Sequence, residues 1–241
     1  MKKTWIIAVK ELKSFFDSLT AYLLIVFFLG FSGFFTWLSG SDVFFIGQAS
    51  LQQFFAVAYW TLFFFIPALT MRMIAEENKS GTIELLLTKS ITDWEVVLGK
   101  FLSCLLLIAI ALVLTIPYYI TAANIGNVDH GAVLCGYLGL LLMSMVYISI
   151  GLVASSVTNN QIVAFLLSLF IGIFFHIIFN VLSADFTGLI AEVFNYLDLQ
   201  THFESISRGV IDSKDIIYFL SISLFGLILA ENMVSKRNIV D

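Results

Sequence analysis

The chain has 241 residues; 60% are apolar, only 12% are charged, and the mean hydropathy is +0.99. A soluble domain carries about 25% charged residues, so this composition excludes an ordinary water-soluble enzyme or a nucleic-acid binder and points to repeated crossing of a lipid bilayer. The net charge of −5 says little, because in such a chain the placement of cations matters more than their sum.

In chain order, the first element is amphipathic. Trp5, Val9, Leu12 and Phe16 fall at helical spacing, with Lys3, Lys10, Lys13 and Asp17 on the other side. This pattern predicts a helix over 3–17 lying in the membrane interface, with a plain cationic leader as the alternative. No short apolar core followed by a small-residue cleavage site is present, so the segment is expected to belong to the mature protein.

A crossing helix needs roughly 20 apolar residues. Six segments meet that demand: 19–38, 51–73, 101–122, 132–155, 162–182 and 216–234. The fourth and fifth are divided at Thr158-Asn159-Asn160-Gln161, whose polar groups need water. Pro117 predicts a kink in the third, beside the polar Thr115, Tyr118 and Tyr119. Ala132 with Gly136, and Gly151 with Ser155, are small pairs that predict close helix contact. Cys104 and Cys135 lie far apart in apolar runs and suggest neither a disulfide nor a metal site. The expected fold is therefore all-α, with six transmembrane helices in one domain.

Lys and Arg set the orientation. Lys2, Lys3, Lys10, Lys13, Arg72, Lys79, Lys89, Lys100, Lys236 and Arg237 fall on one side, and only Arg208 and Lys214 on the other. The asymmetry places both termini in the cytoplasm.

Two loops are longer than a reversal of direction needs. In 74–95, Glu76 and Glu77 leave the membrane, Gly81 permits a turn, and Ile83, Leu86 and Leu87 stripe a short helix. Thr92 and Glu95 then form a capping box that opens the third span. A helix held off the lipid suggests a cytoplasmic contact, or else packing on the protein's own face. The second loop, 183–215, predicts short helices that cap the opposite mouth or re-enter the bilayer. His202 and Glu204 would not share a helix face there, which argues against a metal site.

The run Glu76-Glu77, Lys79 to Thr88, Asp93-Trp94-Glu95 and Gly99-Lys100 resembles the corresponding loop of ABC-2-type permeases. Lys10-Glu11-Leu12, Phe15-Phe16, Ser18 and Ala21-Tyr22 resemble that family's approach to its first span. Thr201 to Glu204 and Arg208 to Asp212 resemble its last external loop. Within the superfamily the chain is most similar to the permease subunits of gliding-motility-associated ABC transporters of Bacteroidetes. One departure is Ser90, where the family usually has Pro; Pro would stiffen the exit from the loop helix.

The resemblance implies a coupling helix within 74–88, with Glu76, Glu77, Gly81, Thr82, Ile83, Glu84, Leu86 and Leu87 at the contact with a separate ABC ATPase subunit. It also implies a second permease protomer, a periplasmic accessory protein, and residence in the bacterial inner membrane. ATP and Mg are expected on the partner and no cofactor in this chain. That agrees with the absence of any G-x-x-x-x-G-K-[ST] phosphate cradle.

His176 and Asn180, four apart in the fifth span, are expected to share a face. An interhelical hydrogen bond is the plainer reading, and a substrate pathway with Tyr118 and Tyr119 the sharper one. Two rivals to a transporter permease remain at this stage. One is a non-transporting scaffold that turns ATPase strokes into mechanical work on the envelope. The other is an intramembrane enzyme, for which His176 is the sole ionisable group in a clear span.

Overall fold

The computed structural model describes residues 2–39, 50–81 and 91–237. Among them all regular structure is helical, and six helices are long and apolar enough to cross a membrane. Helix α1 (Lys2–Asp17) precedes the first span, α2 (Leu19–Trp37). The second span, α3 (Gln52–Thr70), continues through turns into the short α4 (Ala75–Ser80). The third is α5 (Asp93–Val113) followed by α6 (Ile116–Ile125). The fourth is α7 (His130–Val157). The fifth comprises α8 (Gln161–Ile173), a π turn at Phe174–Ile178 and α9 (Phe179–Asp185). Then come α10 (Leu189–Leu197), α11 (Leu199–Ser207) and the sixth span, α12 (Ser213–Arg237).

An even number of crossings puts residues 2–17 and 235–237, residues 71–81 and 91–92, and the 158–160 turn at one end of the bundle, here the terminal end. Helices α10 and α11 lie at the far end.

Local chemistry explains the breaks. Ser18, Asp129 and Asn160 each accept a backbone N–H as the N-cap of the helix that follows. The capping box forms: the Glu95 carboxylate accepts from Thr92 N–H at 3.2 Å, and Thr92 Oγ1 from Glu95 N–H at 3.3 Å. At Pro117 the third span breaks rather than merely bending, since Pro lacks an N–H and clashes with the preceding turn. Thr115 sits in the break, its hydroxyl 2.9 Å from that of Tyr137, which also donates to the Thr115 carbonyl at 3.3 Å. Glu231 and Asn232 leave the sixth helix uninterrupted.

The core centres on α7, which packs against α3, α5, α8, α11 and α12. Of its most apolar stretch 72% is buried, against 22% for the fifth span. Small residues permit this closeness: a Cβ at Gly151 would overlap the Thr70 side chain, and one at Gly136 the Phe55 ring. At 28 residues α7 is about 42 Å long at 1.5 Å per residue. That exceeds a hydrocarbon core of about 30 Å, and the surplus carries Ser155 out to α4.

The stripe of α1 that faces the protein is Thr4, Ile7, Ala8 and Phe15, while Trp5, at the head of the apolar face expected at the membrane interface, is 56% exposed. Packing against α5 decides this. Gly99 leaves room for Ile7, whose Cγ2 would lie 2.6 Å from any Cβ there.

Candidate functional site

A buried polar construction lies at the terminal end, where the second span passes into α4. Gly81 closes α4 in the left-handed conformation, φ 68°, which residues bearing a Cβ adopt at a cost. Glu76 and Glu77 occupy its first turn and Lys79 its last, complementing the helix dipole. Gly81 marks the limit of the description: Thr82, Ile83, Glu84, Leu86 and Leu87, the rest of the anticipated contact, lie outside the described residues.

Three ties fasten α4 and the turn before it to the spans. The first is Lys100 of α5. Its side chain is 1% exposed, and its ammonium donates to the Met73 carbonyl at 2.6 Å and meets Glu77 Oε1 at 2.7 Å. A buried lysine is tolerable only when its charge is paired and its protons are accepted, and both conditions hold here. The second tie is Ser155 of α7. Its hydroxyl oxygen accepts from the N–H groups of Ile74 and Ala75 at 3.0 and 2.9 Å and donates to the Met71 carbonyl at 3.1 Å. Those two N–H groups are orphans of a helix start, capped by a side chain 81 and 80 positions on. The third tie is Arg72. It donates to Ser18 Oγ at 3.3 Å and stands 5.3 Å from the Phe15 ring, joining the turn to the elbow between α1 and α2.

The four anticipated pathway residues are not brought together. Tyr118 donates to the Leu29 carbonyl at 2.9 Å, bridging the third span to the first. Tyr119 meets His130 Nδ1 at 2.7 Å in an exposed pair. His176 is buried, stacked on Tyr59 and Phe63 with ring centroids 4.3 Å away in each case, and its Nδ1 lies 2.6 Å from the Tyr147 hydroxyl. Asn180 is exposed and donates to Asp198 Oδ2 at 3.0 Å.

His176 and Asn180 make separate contacts, one buried among the rings of α3 and α7 and the other reaching the Asp198 carboxylate at the start of α11. Between them the backbone leaves a π turn, in which Phe179 N–H bonds to the Phe174 carbonyl, five residues back. Nearby, α3 and α11 border a recess of about 300 Å³ that includes Tyr59, Trp60, Phe203 and Arg208. None of the four lines it.

Sequence reasoning placed Lys100 only as one cation of a loop flank. It overlooked Ser155 as a cap, and likewise the buried Asp198, whose Oδ2 accepts from Thr201 N–H, Thr201 Oγ1 and Asn180. Nothing local could have shown Lys100 or Ser155, whose partners in the 71–77 segment lie far off in sequence; for Asp198 the local signal was its place three residues before Thr201, as the N-cap of α11. His202, unlike its neighbour Glu204, is buried against Asp215. Among the described residues no cluster of His, Cys, Asp or Glu could hold a metal ion.

A family model described as ABC-2 family transporter protein matches residues 5–235. No curated protein matches the chain. The match spans nearly the whole length, and the chain belongs to that family. It is a membrane permease component of an ABC transporter, not its catalytic part, and membership implies an ABC ATPase partner.

Proposed function

We propose that this ABC-2 family member takes force from a separate ATPase subunit through the loop that follows its second span. In this reading Glu76, Glu77, Gly81, Thr82, Ile83, Glu84, Leu86 and Leu87 form the contact. The terminal end faces the cytoplasm of a bacterial inner membrane, and two permease protomers stand over two ATPases that carry the ATP and Mg. The Lys and Arg asymmetry supports the orientation.

The observation that carries the reading is the triple tie of α4. A loop that merely reversed direction would not need a buried ammonium, a borrowed cap and a guanidinium to hold it to three other helices. Such ties mean that a push on α4 displaces the base of spans one, three and four with span two. Rigid-body tilting of packed helices is how such displacements propagate. Moving a two-state equilibrium from 1:99 to 99:1 takes about 5.5 kcal/mol, within reach of a docked helix whose contacts differ between the two states.

The test is capture of the tagged permease from its own membrane. The ATPase should co-purify with the wild-type chain and be lost from a Glu84→Ala/Leu86→Ala variant that still inserts. Undiminished capture by the variant, or labelling of Gly81→Cys only from the periplasmic side, would overturn the reading. ATP-driven flux in proteoliposomes then separates transport from work on envelope machinery such as that of gliding. Coupled hydrolysis without flux would favour the latter.

A further inference from the structure

The far end of the bundle contains a second polar construction that the coupling reading does not use. His202, on α11, is 4% exposed and lies flat on Tyr218 of α12, ring centroids 4.0 Å apart. Its Nδ1 is 2.7 Å from Asp215 Oδ1, at the start of α12, and its Nε2 is 3.0 Å from the Tyr196 carbonyl, near the end of α10. One ring thus ties together the two cap helices and the sixth span.

A neutral imidazole has one N–H and can donate through one nitrogen only. Here both nitrogens face oxygen. The Tyr196 carbonyl can only accept, so Nε2 must carry a proton. The Nδ1–Oδ1 contact needs a second proton, whether it rides on the ring or on the carboxyl. The pair therefore holds one proton more than a neutral histidine beside an ionised aspartate. Asp215 is 1% exposed and its Oδ2 has no hydrogen-bond partner, so removing that proton leaves a bare buried negative charge. Water must then enter, or the helices must part.

We propose that His202 and Asp215 form a proton-held latch that keeps α10 and α11 closed on the sixth span and releases them when the solution at the far end turns alkaline.

The other titratable or charged groups around it do not replace that proton. Glu192 and Tyr196 come from α10, Asp198, Glu204 and Arg208 from α11 or its cap, and Lys214 and Tyr218 from α12. Glu204 is engaged by Gln200 and Arg208, and Asp198 by Asn180 and Thr201. Asp212, in the connecting loop, is held below the usual carboxylate range by the backbone N–H and then the ammonium of Lys214. It stays ionised while the latch titrates. The Tyr218 hydroxyl, which donates to the Leu197 carbonyl at 2.6 Å, keeps one tie when the latch opens, so the cap loosens without detaching. None of the residues of α10 is buried, which leaves that helix the first to move. Because α11 is one wall of the recess beside Tyr59 and Trp60, the latch also sets how wide that recess stands.

The test uses the full chain in nanodiscs with ¹⁵N-labelled histidine. Imidazole nitrogen NMR, assigned by loss of the signal in His202→Gln, should show the extra proton of the pair at about neutral pH and its departure at a higher pH. Over the same interval, hydrogen exchange in 189–211, corrected for intrinsic rates, should rise about tenfold, the change expected for one lost hydrogen bond. Exchange in 130–157 should stay flat. Asp215→Asn should abolish the step while keeping the fold. A His202 Nδ1 that at neutral pH neither carries a proton nor accepts one in a hydrogen bond, or an exchange profile in 189–211 that does not follow the titration, would overturn the latch. The spectroscopic readout stands on the wild-type protein even if a variant fails to fold.

Discussion

Replacing Lys100 by Met tests the central tie most directly. Met keeps most of the aliphatic stem and removes the charge. Two interactions disappear, with the Met73 carbonyl at 2.6 Å and with Glu77 at 2.7 Å. Charge-assisted bonds of this kind contribute about 1.5–3 kcal/mol each, but burying the ammonium offsets part of that sum. Breaking one side of a buried pair typically costs about 3–5 kcal/mol. Glu77 keeps a side-chain exposure of 16% and gains hydration once freed, so the expected loss is at the low end, about 2–3 kcal/mol.

The assay is reversible unfolding in mixed micelles, paired with ATP turnover by the reconstituted complex. Lys100→Met should lower stability by that amount and separate hydrolysis from output, because the ATPase still docks while α4 no longer drags α5. A double-mutant cycle with Glu77→Gln should return a coupling energy of about 1–3 kcal/mol, the range for directly bonded neighbours. A Lys100→Met protein with unchanged stability and unchanged coupling would refute the claim that this ammonium fastens the loop.

Ser155→Ala should orphan the N–H groups of Ile74 and Ala75 and lower stability by about 1–3 kcal/mol, with hydrogen exchange rising in 71–78 and not in 130–145. Gly81→Ala should cost about 1 kcal/mol by forcing a Cβ into the left-handed region. Its Cβ would meet nothing within 4 Å, so the effect is backbone strain, and Gly81→Asn should recover part of it. Tyr147→Phe should remove the partner of His176 Nδ1 and cost about 1–3 kcal/mol. If His176 is only a packed ring, the variant retains full coupling once thermally stable, which turnover measured well below its melting point would show.

Most of the architecture was legible because a bilayer imposes one dominant rule, that a crossing needs length and apolarity together. Leu19–Trp37 and His130–Val157 follow from that rule alone, and the breaks at Asn160 and Thr92 from capping chemistry. What was not legible lies between helices. Lys100 reads as a loop cation because it is the last charge before a long apolar run, yet the Met73 carbonyl and Glu77 of α4 close over it and turn it into an internal strut. In α1 hydropathy marks Trp5 and Phe16 as apolar but does not show that a neighbouring stripe, Thr4, Ile7, Ala8 and Phe15, meets the protein. His176 and Asn180 take partners on other elements, Tyr147 and Asp198, which spacing within one helix does not name, and the π turn at Phe174–Ile178 departs from the uninterrupted 3.6-residue period that such spacing assumes.

That π turn also locates where the bundle has freedom to move. Spans one to four are joined at their terminal end by Arg72, Lys100 and Ser155, so they respond to α4 together. The fifth span has no such tie among the hydrogen bonds described: Asn160 caps its start locally, and its apolar stretch is the least buried of the six. It packs along α7 and α3 through α8, and its contacts with the core include Gly172 against Phe63 and His176 against Tyr59, Phe63 and Tyr147. These are ring and small-residue contacts that can slide. A helix held by stacked rings at mid-depth and by Asn180–Asp198 at the far end will pivot between those two points when the first four spans tilt. The strain would collect at the residues whose hydrogen bonds are already off the α pattern, Phe174 to Ile178. Motion imposed at α4 would thus emerge as displacement of α9 and the cap it touches, so the terminal junction and the far-end latch act on the two ends of one lever.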